Sequence, residues 1–333
     1  MKIDLNGVLS YYDLGDPLGA RPADRGYVNT AWEVNTTSGR YFLKRYHPSL
    51  CHATTIRAQH FLVEYLRQSG FPAPAVLRTL TDTTLLILRG EYYEIQEYVE
   101  GELCNPERPA HLQEAALVLG RYHAITADFQ TMALRQRELY GPVFVRRNLG
   151  KLVTDWALDY HPAFTSTIRH LASRTDDLET CFTAHGLLPH LAIHGDYYAD
   201  NLMLKDDRIV GVVDYDKACW QPRVAELAEA LIFFASPRPS QLKHLVYPGP
   251  LNWEAFERFL HQYCSVIKLT EKEINALPDY VGCIWMQVSL ENLREQRTRP
   301  ASAAEALREV ATLGEWAAAN AARMIEIGRD GNT

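Results

Sequence analysis

Up to Gly101 the apolar and aromatic residues come in short β-prone runs broken by turn residues. Trp32-Glu33-Val34-Asn35-Thr36-Thr37 is followed by Ser38-Gly39, then by Arg40-Tyr41-Phe42-Leu43-Lys44-Arg45-Tyr46. Two such runs around a Ser-Gly pair predict a hairpin. Thr83 to Leu88 and Tyr92 to Tyr98, separated by Arg89-Gly90-Glu91, predict a second. Between them Thr54 to Gln68 predicts a helix ending at Gly70 and Pro72. Beyond Gly101 the apolar spacing becomes helical. Helices are expected over His111 to Thr126, Trp156 to Arg174, Glu226 to Ala235, Trp253 to Ile267 and Val281 to Glu295. A last one is expected over Ala301 to Ile327, with Gly328 as its stop. One small hairpin interrupts them: Leu202 to Leu204 and Ile209 to Val213, joined by Lys205-Asp206-Asp207-Arg208. The order predicts an α+β chain, a small antiparallel sheet with one helix and then a mostly helical part. A cleft between two such lobes suits a ligand.

The composition is that of a globular protein, with 47% hydrophobic and 23% charged residues. The length of 333 residues is ample for a substantial core. A net charge of -7 argues against general nucleic-acid binding, which needs a basic face. The six cysteines form no CxxC pair, so a zinc site is not expected, and they read as thiols of a reducing compartment. The N-terminus is polar where a signal peptide needs an apolar run. No apolar stretch is long enough to span a bilayer. These features predict a cytoplasmic protein with no membrane and no nucleic-acid partner.

The chemistry concentrates in Ile193 to Leu231, which reads IHGDYYADNLMLKDDRIVGVVDYDKACWQPRVAELAEAL. Asp196 and Asn201 are five residues apart, around a loop. Asp214 ends the apolar strand that follows, and a hairpin returns that strand end to the loop. One carboxylate and one carboxamide can then hold magnesium, while the other carboxylate faces an incoming hydroxyl. Magnesium takes hard oxygen ligands and keeps waters and phosphate oxygens, so two side chains suffice once ATP supplies the rest. Phosphoryl transfer asks for positioning, charge neutralisation and an orienting carboxylate. The plainer reading is a loop with turn and cap residues. The spacing of Asp214, with Asp216 after it, weighs against that.

HGDYYADN followed by VVDYD resembles the catalytic loop and metal-binding aspartate of the aminoglycoside phosphotransferase and choline kinase superfamily. The resemblance covers Leu18 to Arg297 and implies a protein-kinase-like two-lobed fold using ATP and Mg2+. Its implied divisions are an N-terminal nucleotide-binding lobe over 1–96, a hinge over 97–101 and a C-terminal lobe with catalytic loop and acceptor site over 102–333. Carried over, Asp196 is the catalytic base, and Asn201 and Asp214 are the metal ligands. Asp216 matches a position that is often acidic. Lys44, in the strand Tyr-Phe-Leu-Lys, is the nucleotide lysine. Backbone groups of Glu97 and Val99 meet the adenine edge. The helix after Lys44 offers Gln59 where a glutamate is expected, with Glu64 the nearest acid. The glycine-rich loop is absent, and only Gly26 lies in that region. Glu226 reads as a support of the loop, His194 as its orienting histidine, and His123 as a core histidine.

His194 to Ala230 looks most like homoserine kinases of this superfamily. The implied acceptor is the hydroxyl of a small molecule, homoserine or a similar amino alcohol first, an aminoglycoside or sugar next. The competing implications are a bacterial protein Ser/Thr kinase of the same superfamily and a catalytically inactive nucleotide-binding protein. The acceptor wall is expected on the segment carrying Trp285, Gln287, Glu291, Asn292 and Arg294. Glu291 and Glu295 can attract an amino group and Trp285 can stack on a cation. Each has a plainer reading as core or solvated face.

Overall fold

The computed structural model describes residues 4–23, 29–46, 51–129, 131–134, 138–156, 162–236, 250–295 and 303–333. Gly26 lies outside them. The chain opens with a short helix α1 (Leu5–Leu9), capped by Asp4, whose carboxylate accepts the Gly7 N–H. Then come β1 (Pro17–Pro22), β2 (Thr30–Thr36), β3 (Gly39–Tyr46), helix α2 (Ala53–Gln68), β4 (Leu86–Leu88) and β5 (Glu91–Glu97). The strands form one antiparallel sheet in the order β1-β2-β3-β5-β4. Both predicted hairpins are present. Arg89 and Gly90 turn the second with positive φ, which matches the twist of the strands they join.

Alternation divides this sheet into two faces. Trp32, Val34, Leu43 and Ile95 join Val8 and Leu9 of α1 in one apolar cluster. Lys44, adjacent to Leu43, points to the opposite face, with its cross-strand partner Glu94. Tyr46 on that face packs with Ile56 of α2.

The rest of the chain comprises β6 (Glu102–Leu103), α3 (Pro109–Thr126), α4 (Pro142–Asp155), α5 (Pro162–His185), β7 (His190–Ile193), β8 (Leu202–Lys205) and β9 (Arg208–Val212). It ends with β10 (Cys219–Pro222), α6 (Arg223–Phe234), α7 (Trp253–Cys264), α8 (Glu271–Glu295), α9 (Ala303–Ala319) and α10 (Ala321–Gly331). Strands β6, β8 and β9 form an antiparallel sheet, and β7 pairs with β10. Every residue of α6 is buried, so this helix is the centre of the C-terminal core. The architecture is the expected one, a sheet-rich lobe followed by a mostly helical lobe.

Three expected helices differ. Trp156 to Arg174 is not one helix: Trp156 caps the end of α4, and α5 is described from Pro162. Residues 157–161 of that span lie outside the described ones. Helix α8 starts ten residues before Val281 and runs through Pro278. Its start is fixed by a reciprocal cap, in which Thr270 N donates to Glu273 and Glu273 N to Thr270 Oγ1. The C-terminal span breaks at Asn320, and Gly328 lies inside α10, against Ile274, rather than stopping it.

Candidate functional site

The pairing of β7 with β10 sets Ile193 opposite Cys219, so the loop after β7 and the loop before β10 leave the same strand ends. Gly195 makes this close approach possible. Its φ is +77°, and a Cβ there would come within 2.4 Å of the Lys217 carbonyl oxygen. The two loops are also hydrogen-bonded. His194 Nε2 lies 3.0 Å from the Val213 carbonyl, and Val213 N donates to the Asn201 carbonyl at 2.9 Å. The Asp196 N–H lies 3.3 Å from His194 Nδ1, so the ring accepts there and donates from Nε2. Burial lowers the His194 pKa, in keeping with this neutral form.

Asp196, Asn201, Asp214 and Lys44 meet at this junction. Asn201 Nδ2 donates to the Asp196 carbonyl at 2.8 Å and to Asp196 Oδ2 at 3.2 Å. Both bonds use the amide nitrogen, which leaves the carboxamide oxygen for another partner. Asp214 sits in the left-handed region with φ 67°. Lys44, 6% exposed, places Nζ 2.9 Å from Asp214 Oδ1 and 2.8 Å from Asp216 Oδ1.

Burial works against the charge on Lys44. Asp214, Asp216 and Glu94 outweigh it and hold its pKa well above the ordinary lysine value. Asp214 is lowered, because the Lys44 ammonium overcomes the effect of burial. Asp216 is raised, by burial first and then by Asp214 and Glu94. Three carboxyl groups thus surround one ammonium. This excess of negative charge and the hard oxygens of Asn201 and Asp214 suit a divalent cation such as magnesium.

Gln59 does not bond Lys44. Its Nε2 donates to the main-chain oxygen of Asp216 at 2.7 Å. Glu64 pairs with Arg78 at 3.2 Å instead. The acid beside Lys44 from its own lobe is Glu94, 1% exposed and hydrogen-bonded to His60, Tyr46 and Gln96. At the hinge, the Glu97 carboxylate pairs with Arg67 and its N–H donates to the Ala75 carbonyl. The Val99 side chain covers Gly211 of β9, and among the described residues its N–H has no backbone partner. A cavity of about 500 Å³ borders the hinge beside Arg67, Phe71 and Tyr98, yet contains none of Lys44, Asp196, Asn201 or Asp214. The convergence of side chains, not that cavity, marks the site.

Glu226 lies fully buried beneath the loop. It accepts the Gly195 N–H at 2.6 Å and the His194 N–H at 3.1 Å, and lies 2.8 Å from His123 Nε2. His123 is therefore part of the loop's support as well as of the core. Sequence reasoning missed three neighbours. Lys217 Nζ is 2.7 Å from Asp196 Oδ1. The Tyr140 hydroxyl is 3.0 Å from the Gly195 carbonyl and 2.6 Å from Glu229 Oε2. Lys217 was visible in Asp-Tyr-Asp-Lys; Tyr140 and Glu229 meet it only through the fold. On α8, Glu291 Oε1 accepts from Gln287 and from Asn148 of α4, and Arg294 donates to Asn148. Trp285 turns inward against Trp316 at 5.4 Å, 1% exposed, so it belongs to the core and does not stack on a cation. The side chain of Glu295 lies outside the described residues.

Residues 19–249 match the model of the "Phosphotransferase enzyme family". The chain belongs to that family. This phosphotransferase is 25% identical over 280 residues to a homoserine kinase of Parvibaculum lavamentivorans, covering 83% of this chain and 80% of that one. It is 26% identical over 303 residues to a homoserine kinase of Hyphomonas neptunium, covering 90% and 88%. Among solved structures, an amicoumacin kinase, hAmiN, in complex with AMP-PNP, Ca2+ and Ami superposes with a TM-score of 0.72 at 17% identity, over 92% of each chain. A microcompartment-associated aminopropanol kinase gives 0.72 at 17% identity, over 96% and 97%. The fold of this phosphotransferase is thus that of small-molecule kinases. Among the described residues, no helix is long and apolar enough to cross a membrane.

Proposed function

We propose that the protein transfers the γ-phosphoryl group of ATP to the hydroxyl of a small molecule. Homoserine or a short amino alcohol comes first, an aminoglycoside or sugar next. The observation that carries this is that Lys44 of the sheet-rich lobe bonds Asp214, whose neighbour Val213 is tied to Asn201, which in turn bonds Asp196. Asp196 orients the acceptor hydroxyl and takes its proton. Asn201 and Asp214 hold Mg2+, which neutralises charge on the phosphate oxygens when bound. Lys44 exchanges Asp214 for the α- and β-phosphate oxygens. Gln59 acts through Asp216 rather than on the lysine. The Glu97 carbonyl and Val99 N–H face the adenine edge, with the lobe division at 97–101. The reading places the enzyme in the cytoplasm, where ATP is supplied. The names of its relatives and fold neighbours favour an acceptor that carries an amine.

The test is Asp196→Asn against wild type on a panel of hydroxylated amines and amino acids, with ADP release as readout. Loss of the orienting carboxylate should lower kcat by about 10³-fold while nucleotide affinity holds. A variant as fast as wild type, or a wild type that no acceptor stimulates, would end the proposal.

A further inference from the structure

Lys217 has no role in the reading above, which the following inference deepens and on which it rests. It closes the turn Tyr215–Lys217 that follows Asp214. Its ammonium lies 2.7 Å from Asp196 Oδ1, while Asn201 takes Oδ2. The Lys217 side chain is 46% exposed and that of Asp196 is 10%. The ammonium therefore reaches inward from open solvent to a buried carboxylate. Partial burial opposes its charge, but Asp196, Glu229 and Glu291 raise its pKa above the ordinary lysine value. Those acids come from the β7–β8 loop, α6 and α8. Half of the Lys217 side chain stays open to solvent, on the side from which a ligand can approach.

The junction thus holds two ammonium groups. Lys44 approaches Asp214 and Asp216 from the sheet, and Lys217 approaches Asp196 from the helical lobe. Of the candidate metal ligands, Asp214 bonds Lys44, and Asn201 bonds the Asp196 carboxylate that Lys217 holds. We propose that Lys217 is a catalytic residue that binds the transferring phosphoryl group in the transition state. The acceptor oxygen forms a bond to the γ-phosphorus as the bond to the β,γ-bridging oxygen breaks. That electron pair leaves with ADP, and the hydroxyl proton passes to Asp196. Negative charge is then spread over the three equatorial phosphoryl oxygens. An ammonium has three donors on a flexible stem. It can hold Asp196 with one and reach an equatorial oxygen with another. A cation aimed where charge develops acts on the transition state rather than on ground-state binding.

The experiment compares Lys217→Met, which keeps the apolar stem, and Lys217→Arg, which keeps the charge. Two things are measured: kcat and KM for transfer to an acceptor and for hydrolysis of ATP, and calorimetric affinity, with Mg2+, for ADP alone and for ADP with aluminium fluoride, a planar phosphoryl mimic. Lys217→Met should lower kcat about 100-fold for both transfer and hydrolysis. It should weaken the aluminium fluoride complex by a similar factor and leave ADP affinity and acceptor KM within about threefold. Lys217→Arg should recover at least about a tenth of the wild-type rate. An effect confined to acceptor KM makes Lys217 an acceptor-binding residue and overturns the proposal. So does an aluminium fluoride complex as tight as wild type. A wild-type protein that binds neither ADP nor its aluminium fluoride complex overturns the parent reading, and this one with it.

Discussion

Glu229→Gln should remove a pH dependence of stability that the wild-type protein carries. The Tyr140 hydroxyl has one proton and two oxygens beside it, the Gly195 carbonyl at 3.0 Å and Glu229 Oε2 at 2.6 Å. Both contacts are hydrogen bonds if Tyr140 donates to Gly195 and a protonated Glu229 donates to Tyr140. The electrostatics agree. Burial raises the Glu229 carboxyl to about 8; Asp196 and Glu226 add to the rise, and Lys217 and the Tyr140 hydrogen bond oppose it. The unfolded chain releases this proton near the ordinary value of 4.5, well below the folded state. Between those limits the unfolded state binds fewer protons, so stability falls as pH rises. The contribution is complete below pH 4.5 and is lost as pH rises through about 8. At about 1.4 kcal/mol per pH unit, the fall between pH 5 and pH 7 reaches up to about 3 kcal/mol. Glutamine keeps the volume, and its amide donates to Tyr140 as the neutral acid does, without the titration. Urea denaturation of both proteins from pH 5 to pH 8, followed by tryptophan fluorescence, gives the difference directly. It should grow with pH in favour of the variant, by about 1–3 kcal/mol. A difference that stays constant over this range would refute the neutral carboxyl.

Two further outcomes follow from other parts of the molecule. Lys44→Met should raise the nucleotide KM and lower kcat, together about 100-fold or more in kcat/KM, because it removes the ammonium that bonds both Asp214 and Asp216; steady-state kinetics with varied ATP reads this. Arg223→Met removes the partner of Glu273, which is fully buried and bonded to Arg223 at 2.6 and 2.8 Å. That uncompensated charge should cost about 3–5 kcal/mol in chemical denaturation, against little change for the double variant Arg223→Met, Glu273→Gln.

Elements defined by neighbouring residues were legible in the sequence. The hairpin β2–β3 was readable because Ser38-Gly39 interrupts two β-prone runs, and β8–β9 because Asp206 and Asp207 tolerate positive φ. The loop residues His194 to Asn201 and the strand end at Asp214 lie close together in sequence, so the β8–β9 hairpin is enough to predict their meeting, which the β7–β10 pairing completes. Strands β7 and β10 were not readable. Each has four residues, β10 ends in a proline, and neither HLAI nor CWQP alternates apolar with polar residues; only their pairing with each other makes them strands. Those two strands bring Lys217 beside Asp196, a contact that its place in Asp-Tyr-Asp-Lys does not reveal. Helix α8 extends beyond its predicted span for a related reason. Pro278 reads as a stop, but burial of the helix against α4, α6 and α9 outweighs one missing N–H.

The partner of Lys44 shows where local reasoning ends. A search along α2 finds Gln59 and Glu64, since helix spacing is all that the local sequence offers. The acids that hold the lysine come from register and from distance: Glu94 is its cross-strand neighbour on β5, and Asp214 and Asp216 are 170 and 172 residues away. Register is set by the whole sheet and is not written at any one residue. Helix α2 therefore does different work. Through His60 it fixes Glu94, and through Gln59 it fixes the backbone of Asp216. A displacement of α2 would move a carboxylate on each side of Lys44 rather than the lysine itself. In this phosphotransferase the helix sets the charge around the ammonium, and the position where a salt-bridging glutamate was expected holds a glutamine bonded to the Asp216 main chain.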